Sequence, residues 1–339
     1  MDNRRITRRS LLATAAAGAL VPALSPLRAG AQTLRPLKVI AFPGGGSAWA
    51  IWAAQRQGFF AREGVAVQLS GTPGSVFQMT HLIAGDFDIA HTAADNVVAY
   101  SEGQGEVQVA GDTGLVAVMG GDNGFLHVVA RQQYARYADL RGKRLGVEAL
   151  STGYSFVLRK ILAINGLAPA DYELVGAGAG SRRFQELVAG QLDGTIAGTP
   201  FDVIAENAGL HVFGPATEII GRYQGAVGAT RRAWAAANPG PLRSYIRAYV
   251  RALDWLYDPA HKDDAVALLA ENTRLAPAVA QKTYGIMIDR ASGYEPRAAI
   301  DLAGMQTVLN LRQEFGASRT PLGAPRDYVD LRAYRSALE

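Results

Sequence analysis

The chain has 339 residues, 49% of them apolar and 19% charged, with no cysteine and a formal net charge of +4. This length accommodates one large domain or two of ordinary size, and the composition excludes a disordered chain. The missing cysteines exclude a disulfide framework, a thiolate zinc site, an iron–sulfur cluster, a cysteine nucleophile and a lipid anchor on an N-terminal cysteine.

Residues 1–31 read as an export leader. Arg4, Arg5, Arg8 and Arg9 form a basic start, Leu11 to Leu24 an apolar run, and Ala29-Gly30-Ala31 a cleavage site that leaves Gln32 first in the mature chain. Thr7-Arg8-Arg9-Ser10-Leu11-Leu12 fits the twin-arginine pattern. The apolar run is shorter than the ~20 residues of a membrane span, and Pro22 and Pro26 interrupt it. Of 34 basic and 30 acidic residues, this leader holds five arginines (4, 5, 8, 9 and 28) and one aspartate, so the mature chain keeps 29 of each sign. The basic excess is confined to the leader. The case for a nucleic-acid partner, which rests on a basic patch, falls with it.

From Leu37 onward, strand-like and helix-like segments alternate. Leu37 to Phe42 reads as a strand closed by Pro43-Gly44-Gly45-Gly46-Ser47, and Trp49 to Phe60 as a helix. Val65 to Leu69 is a strand, Val76 to Ala84 a helix stopped by Gly85, Phe87 to Ala90 a strand, Asp95 to Tyr100 a helix and Val107 to Ala110 a strand. A second run follows: strand Leu145–Val147, helix Tyr154–Ile164, strand Tyr172–Val175, helix Arg182–Ala189. Such alternation predicts βαβ units around a parallel sheet. The two runs match in detail. Leu82-Ile83-Ala84-Gly85-Asp86-Phe87-Asp88 and Leu187-Val188-Ala189-Gly190-Gln191-Leu192-Asp193 share Leu, Ala, Gly and Asp at a constant offset of 105 residues. Two similar α/β lobes are expected. After Pro239 the pattern turns helical, with amphipathic stretches at 242–257, 261–271, 277–287 and 298–315.

Four turns between a strand and a helix, 43–49, 71–75, 150–154 and 176–181, carry small or hydroxyl residues at the helix start. Free N–H groups there, with the helix dipole, suit an anion, although Ser and Thr also cap helices with no ligand present. Four such turns on two matching lobes point to a ligand cleft between them. The candidate ligand-binding residues are Phe42, Gly45, Ser47, Trp49, Ser75, Thr92, Asp95, Ser151, Thr152, Gly153, Tyr154, Ser181, Thr199 and Phe201. The aromatic members serve equally as core. Of Arg182 and Arg183, one could pair with a ligand acid group, solvated surface being the commoner role. Enzyme motifs fail on inspection. Gly44-Gly45-Gly46-Ser47 lacks the lysine of a P-loop, Gly176-x-Gly178-x-Gly180 has the wrong spacing for a dinucleotide, and the five histidines have no ligand spacing. No metal, cofactor or catalytic residue is expected. An enzyme would have to draw its base from His91 or Asp95.

The leader, the run Gln57-Gly58-Phe59-Phe60-Ala61-Arg62-Glu63-Gly64-Val65, and Leu82 to Ala90 resemble periplasmic substrate-binding proteins of ABC importers. The closest group is the nitrate/sulfonate/taurine-type family, related to the NMT1/THI5-like domain. Asp139 to Val147 is similar to that family's first segment of the second lobe, and Leu187 to Gly194 to its second-lobe repeat. The resemblance spans about 35–315. It implies an α/β chain with the type II periplasmic binding protein fold, with lobe one at 34–121 and 227–339, lobe two at 122–226, and crossings near Gly121–Phe125 and Gln224–Gly228. It further implies a free periplasmic monomer, with no stable membrane insertion, that carries a small anionic or aromatic molecule to permease and ATPase subunits. A lyase or decarboxylase on the same fold, or a receptor feeding a membrane sensor, is the alternative.

Overall fold

Short apolar runs closed by glycine or hydroxyl turns build two five-stranded sheets in the computed structural model, which describes residues 33–44, 46–317 and 320–339. The expected leader and Gly45 lie outside the described residues. The first run comprises β1 (Arg35–Ala41), α1 (Gly46–Arg56), α2 (Phe59–Arg62), β2 (Val65–Gly71), α3 (Ser75–Ala84), β3 (Ile89–Ala93), α4 (Ala94–Ser101) and β4 (Leu115–Asp122). The second comprises β5 (Leu126–Ala130), β6 (Arg144–Val147), α5 (Gly153–Ile164), β7 (Glu173–Gly176), α6 (Gly180–Val188), β8 (Gly194–Gly198), α7 (Phe201–Asn207), β9 (His211–Pro215) and α8 (Ala216–Ile220). The chain then returns through β10 (Ala226–Arg231) to α9 (Arg232–Ala237), α10 (Pro239–Tyr257), α11 (Lys262–Thr273), α12 (Pro277–Met287), α13 (Leu302–Phe315) and α14 (Arg332–Leu338).

Strand order is β2-β1-β3-β10-β4 in one sheet and β7-β6-β8-β5-β9 in the other. In each, three strands run parallel and the fourth is antiparallel to both neighbours. That fourth strand is the one that has just crossed over: β5 follows β4 into the second sheet, and β10 returns to the first. The two passages touch. A Cβ at Gly225 would lie 2.0 Å from the Gly124 nitrogen, so only glycine fits there. Gly124 and Phe125 both have positive φ (87° and 48°), costly for a phenylalanine.

The duplicated motif does the same work twice. Asp88 accepts the Lys38 N–H at 2.8 Å and pins β1, while Asp193 accepts the Arg144 N–H at 3.0 Å and pins β6. Gly85 and Gly190 both take left-handed geometry after their helices.

The expected strand at Val107–Ala110 is absent. Those residues are irregular, and the next strand is β4, buried along all eight residues. A lone short apolar run between glycines has no neighbour to pair with, whereas Leu115–Met119 reaches the sheet.

The first-lobe core packs β1 and α1 under α10, with Trp49, Tyr245 and Tyr249 fully buried. A second cluster runs without a break from Ile40, Leu82 and Val97 to Phe156 and Leu158 of the second lobe, and takes in Val308 and Leu311 of α13. Helix α13 therefore packs on α4 and on α5 alike. Among the described residues, no helix is long and apolar enough to cross a membrane.

Candidate ligand site

A cavity of about 150 Å³ lies where the two sheets' strand ends face each other. The first run supplies Phe42, Gly44, Gly46, Ala93, Asn96 and Asp122. The second supplies Glu148, Thr152 to Tyr154, Ala179, Gly180, Arg183, Thr199 and Phe201. Thus α1, α4, α5 and α6 all begin at this wall. Their first N–H groups have no partner within the helix, and their dipoles lend the wall positive potential.

Contacts between the lobes flank it. Glu148, just past β6, accepts the Ser75 N–H at the start of α3 at 2.6 Å. Ser151 donates its N–H and its hydroxyl to Glu106, at 2.9 and 2.6 Å. Gly153 opens α5 hard against α4: a Cβ there would lie 2.4 Å from Asp95 Cβ. On the opposite flank, Lys282 of α12 pairs with Glu206 of α7.

Three side chains set the cavity's electrostatics. Arg183, in the second turn of α6, is only 7% exposed. Its guanidinium donates to Thr195 Oγ1 at 3.1 Å, to the Gly178 carbonyl at 2.5 Å and to the Ile196 carbonyl at 3.2 Å. Five N–H groups minus these three leave one on each terminal nitrogen. Burial lowers its pKa, with Glu148 opposing that effect. Asp122 ends β4 and is 3% exposed. Its Oδ1 accepts the N–H groups of Gly124 (2.7 Å) and Ala226 (3.3 Å), one from each passage between the sheets. Desolvation pushes its carboxyl up to about 6, with the two N–H groups opposing and Glu295 adding to the rise. Tyr154 lies between these groups. Burial raises its phenol pKa, Asp122 and Glu148 push the same way, and Arg183 opposes.

Of the residues expected from sequence, Phe42, Thr152, Gly153, Tyr154, Thr199 and Phe201 line the cavity. Ser181 lines an adjoining outer pocket, which Phe42 and Phe201 also wall. Ser47 lies in the first turn of α1. Five others are engaged elsewhere. Trp49 sits on the core side of α1, its indole N–H on the Ala265 carbonyl at 3.2 Å and Tyr284 edge-on to its ring. The buried Ser75 and the Ser151 turn make the contacts between lobes just described. Thr92 accepts the Asn96 amide at 2.9 Å and so orients a residue that does line the cavity. Asp95 is held in a buried bidentate pair with Arg312 of α13, both contacts 2.6 Å, and Arg312 also donates to the Ser151 carbonyl at 3.0 Å. His91 is buried against Tyr245 (2.8 Å to its hydroxyl) and Tyr249, and desolvation lowers its pKa to about 4. Neither residue proposed as a base for chemistry lines the cavity.

Sequence reading missed Asp122, Glu148 and Asn96, and for Arg182 and Arg183 it weighed a ligand acid group against the commoner solvated surface. Arg183 had a signal. It stands 105 residues after Gln78, which is fully buried and donates to the His91 carbonyl just as Arg183 donates to Ile196.

A family model described as NMT1-like matches residues 35–270, most of the chain. The chain belongs to the NMT1-like family. Among curated proteins, none matches it. Solved structures give its fold. A protein of Bordetella bronchiseptica RB50 is 23% identical, with 89% of this chain and 96% of that one covered and a TM-score of 0.74. The periplasmic nitrate-binding protein NrtA of Synechocystis PCC 6803 is 14% identical, covering 90% and 88%, with a TM-score of 0.77. The alkanesulfonate-binding protein SsuA of Xanthomonas axonopodis pv. citri, bound to MOPS, is 15% identical, covering 87% and 98%, with a TM-score of 0.69. This NMT1-like chain has the type II periplasmic binding protein fold, two α/β lobes with a cavity between them.

Proposed function

We propose that the protein is the periplasmic solute receptor of an ABC importer, and that its ligand is a small organic acid, a carboxylate or sulfonate. The observation that carries this reading is the cavity between the lobes, with Arg183 buried in its wall beside four helix N-termini. Two N–H groups remain on the guanidinium's terminal nitrogens, a donor pair suited to the two oxygens of an acid group. Phe42, Phe125, Tyr154 and Phe201 supply apolar walls, and a cavity of this size holds a molecule of about one six-membered ring. The passages at 123–125 and 221–225 serve as the hinge, and the closed monomer is the form that docks on permease and ATPase subunits after twin-arginine export. The nitrate- and sulfonate-binding likenesses support a binding role, as does the engagement of Asp95 by Arg312 and of His91 by Tyr245, neither of which lines the cavity.

Thermal-shift and fluorescence titration against aliphatic and aromatic carboxylates, sulfonates, nitrate and pyrimidines tests the reading. A true ligand at 100 times its dissociation constant stabilises the fold by about 2.7 kcal/mol. Stabilisation by no acid in the panel would sink the acid assignment, and turnover of a bound compound would sink the receptor assignment.

A further inference from the structure

Asp122 is a buried carboxylate with a task left over. Its Oδ1 is occupied by two backbone N–H groups. Its Oδ2 has no hydrogen-bond partner among the described residues, and the residue, 3% exposed, stands in the cavity wall. Oδ2 is not sealed within protein, so this carboxylate acceptor is open to whatever fills the cavity. The charge balance of the wall points the same way. Asp122 and Glu148 face one cation, Arg183. Tyr154 feels both charges, Asp122 raising its pKa and Arg183 opposing, while Glu148 acts on Arg183. An acid seated at the Arg183 end satisfies the guanidinium and leaves Asp122 Oδ2 bare.

We propose that Asp122 is a specificity-determining residue of this cavity, whose Oδ2 receives a protonated nitrogen of the ligand, so that the preferred ligand is an amino-substituted acid. The inference rests on the acid-receptor reading and extends it to the opposite end of the molecule bound. A charge-assisted N–H to carboxylate bond in the cavity wall discriminates by about 10- to 100-fold against a ligand that lacks the nitrogen.

The test is calorimetric titration of the wild-type chain and Asp122→Asn with two matched series: butanoate, 4-aminobutanoate and butylamine; benzoate, 4-(aminomethyl)benzoate and benzylamine. Asparagine keeps an oxygen for Gly124 and Ala226, so this variant retains the local backbone, and circular dichroism verifies it. In the wild type the amino acid of a series should bind at least about 10-fold more tightly than the plain acid. In Asp122→Asn that gap should close to about 3-fold or less, with affinity for the plain acid unchanged or improved. Equal binding of acid and amino acid by the wild type overturns the role of Asp122 and leaves the acid reading intact. So does an undiminished gap in the variant. Amines binding as well as amino acids, with the loss in Asp122→Asn retained, keeps Asp122 and removes the acid reading. Silence across both series overturns both.

Discussion

Residue pairs 105 positions apart allow the two lobes to be compared directly. Asp88 and Asp193 each pin the first strand of their sheet, and Gly85 and Gly190 each end a helix. Gln78 and Arg183 both reach from a helix to the carbonyl of the following strand. Yet Gln78 is sealed in the first-lobe core, whereas Arg183 keeps a charge and two donors at the cavity wall. Asp95, in turn, has Pro200 as its counterpart, so its buried pair with Arg312 exists once. Duplication thus explains what holds each lobe together. Departures from it mark where the lobes meet each other and line the cavity.

The largest effect is expected at that unduplicated pair. Arg312→Ala strands Asp95 as a buried charge and frees the Ser151 turn, which should cost about 3–5 kcal/mol in urea unfolding. A loss under about 1 kcal/mol would show that apolar packing, not this ion pair, holds α13 on α4.

Arg183→Gln gives lobe two the residue of lobe one. Glutamine can still reach the Ile196 carbonyl, so stability should change by about 1 kcal/mol at most. Affinity for an acid ligand should fall about 10- to 100-fold in titration. Binding that survives the change would restore the symmetry between Gln78 and Arg183.

Asp122 supplies a pH-dependent effect. Its carboxyl is held near 6, above the ordinary 3.8, so the folded chain binds its proton more tightly than the unfolded one. Ionising it therefore costs the fold about 2–3 kcal/mol, a cost fully present above pH 6 and absent below the ordinary value. Asp122→Asn should accordingly stabilise the ligand-free protein at pH 7.5 and lose that advantage near pH 4. Glu295, itself raised by burial, titrates nearby, and the difference between variant and wild type isolates Asp122, since the surrounding Tyr154, Tyr249 and Tyr294 stay neutral. A pH-independent difference would show that Asp122 is not held near 6.

The smallest effect tests the duplication itself. Asp88→Ala and Asp193→Ala should each cost about 1 kcal/mol in thermal unfolding and agree within about 0.5 kcal/mol. A cost confined to one lobe would break the equivalence.

The alternating half of each lobe was legible in the sequence, since β1 to α4 and β6 to α6 are punctuated by glycine and hydroxyl turns that switch the apolar period. The strands that complete each sheet were not. Gly194–Gly198 and Ala226–Arg231 are small-residue runs buried on both faces, and such runs carry no alternation. The site divides similarly. Turn residues such as Thr152 and Thr199 were findable because strand ends face the cleft. Trp49 and Asp95 stand near the same ends but point from their helices into core, a direction that spacing alone does not reveal. Asp122 was hidden because nothing in a sequence marks a charge as buried, and Arg183 was legible only as one of two candidate arginines.

Helix α13 carries a consequence for affinity. It holds lobe one through the Arg312–Asp95 pair and lobe two through Phe315 on Phe156, Lys160 to Glu314 and the Ser151 carbonyl. Parting the lobes forces it to abandon one set, and the buried ion pair is the costlier to break. Lobe opening therefore bares the apolar face of α13 toward α5, a penalty levied whether or not a ligand is present. If the proposed receptor opens at its hinge, this cost biases its empty state toward the closed shape, and a ligand then spends less of its binding energy on closure.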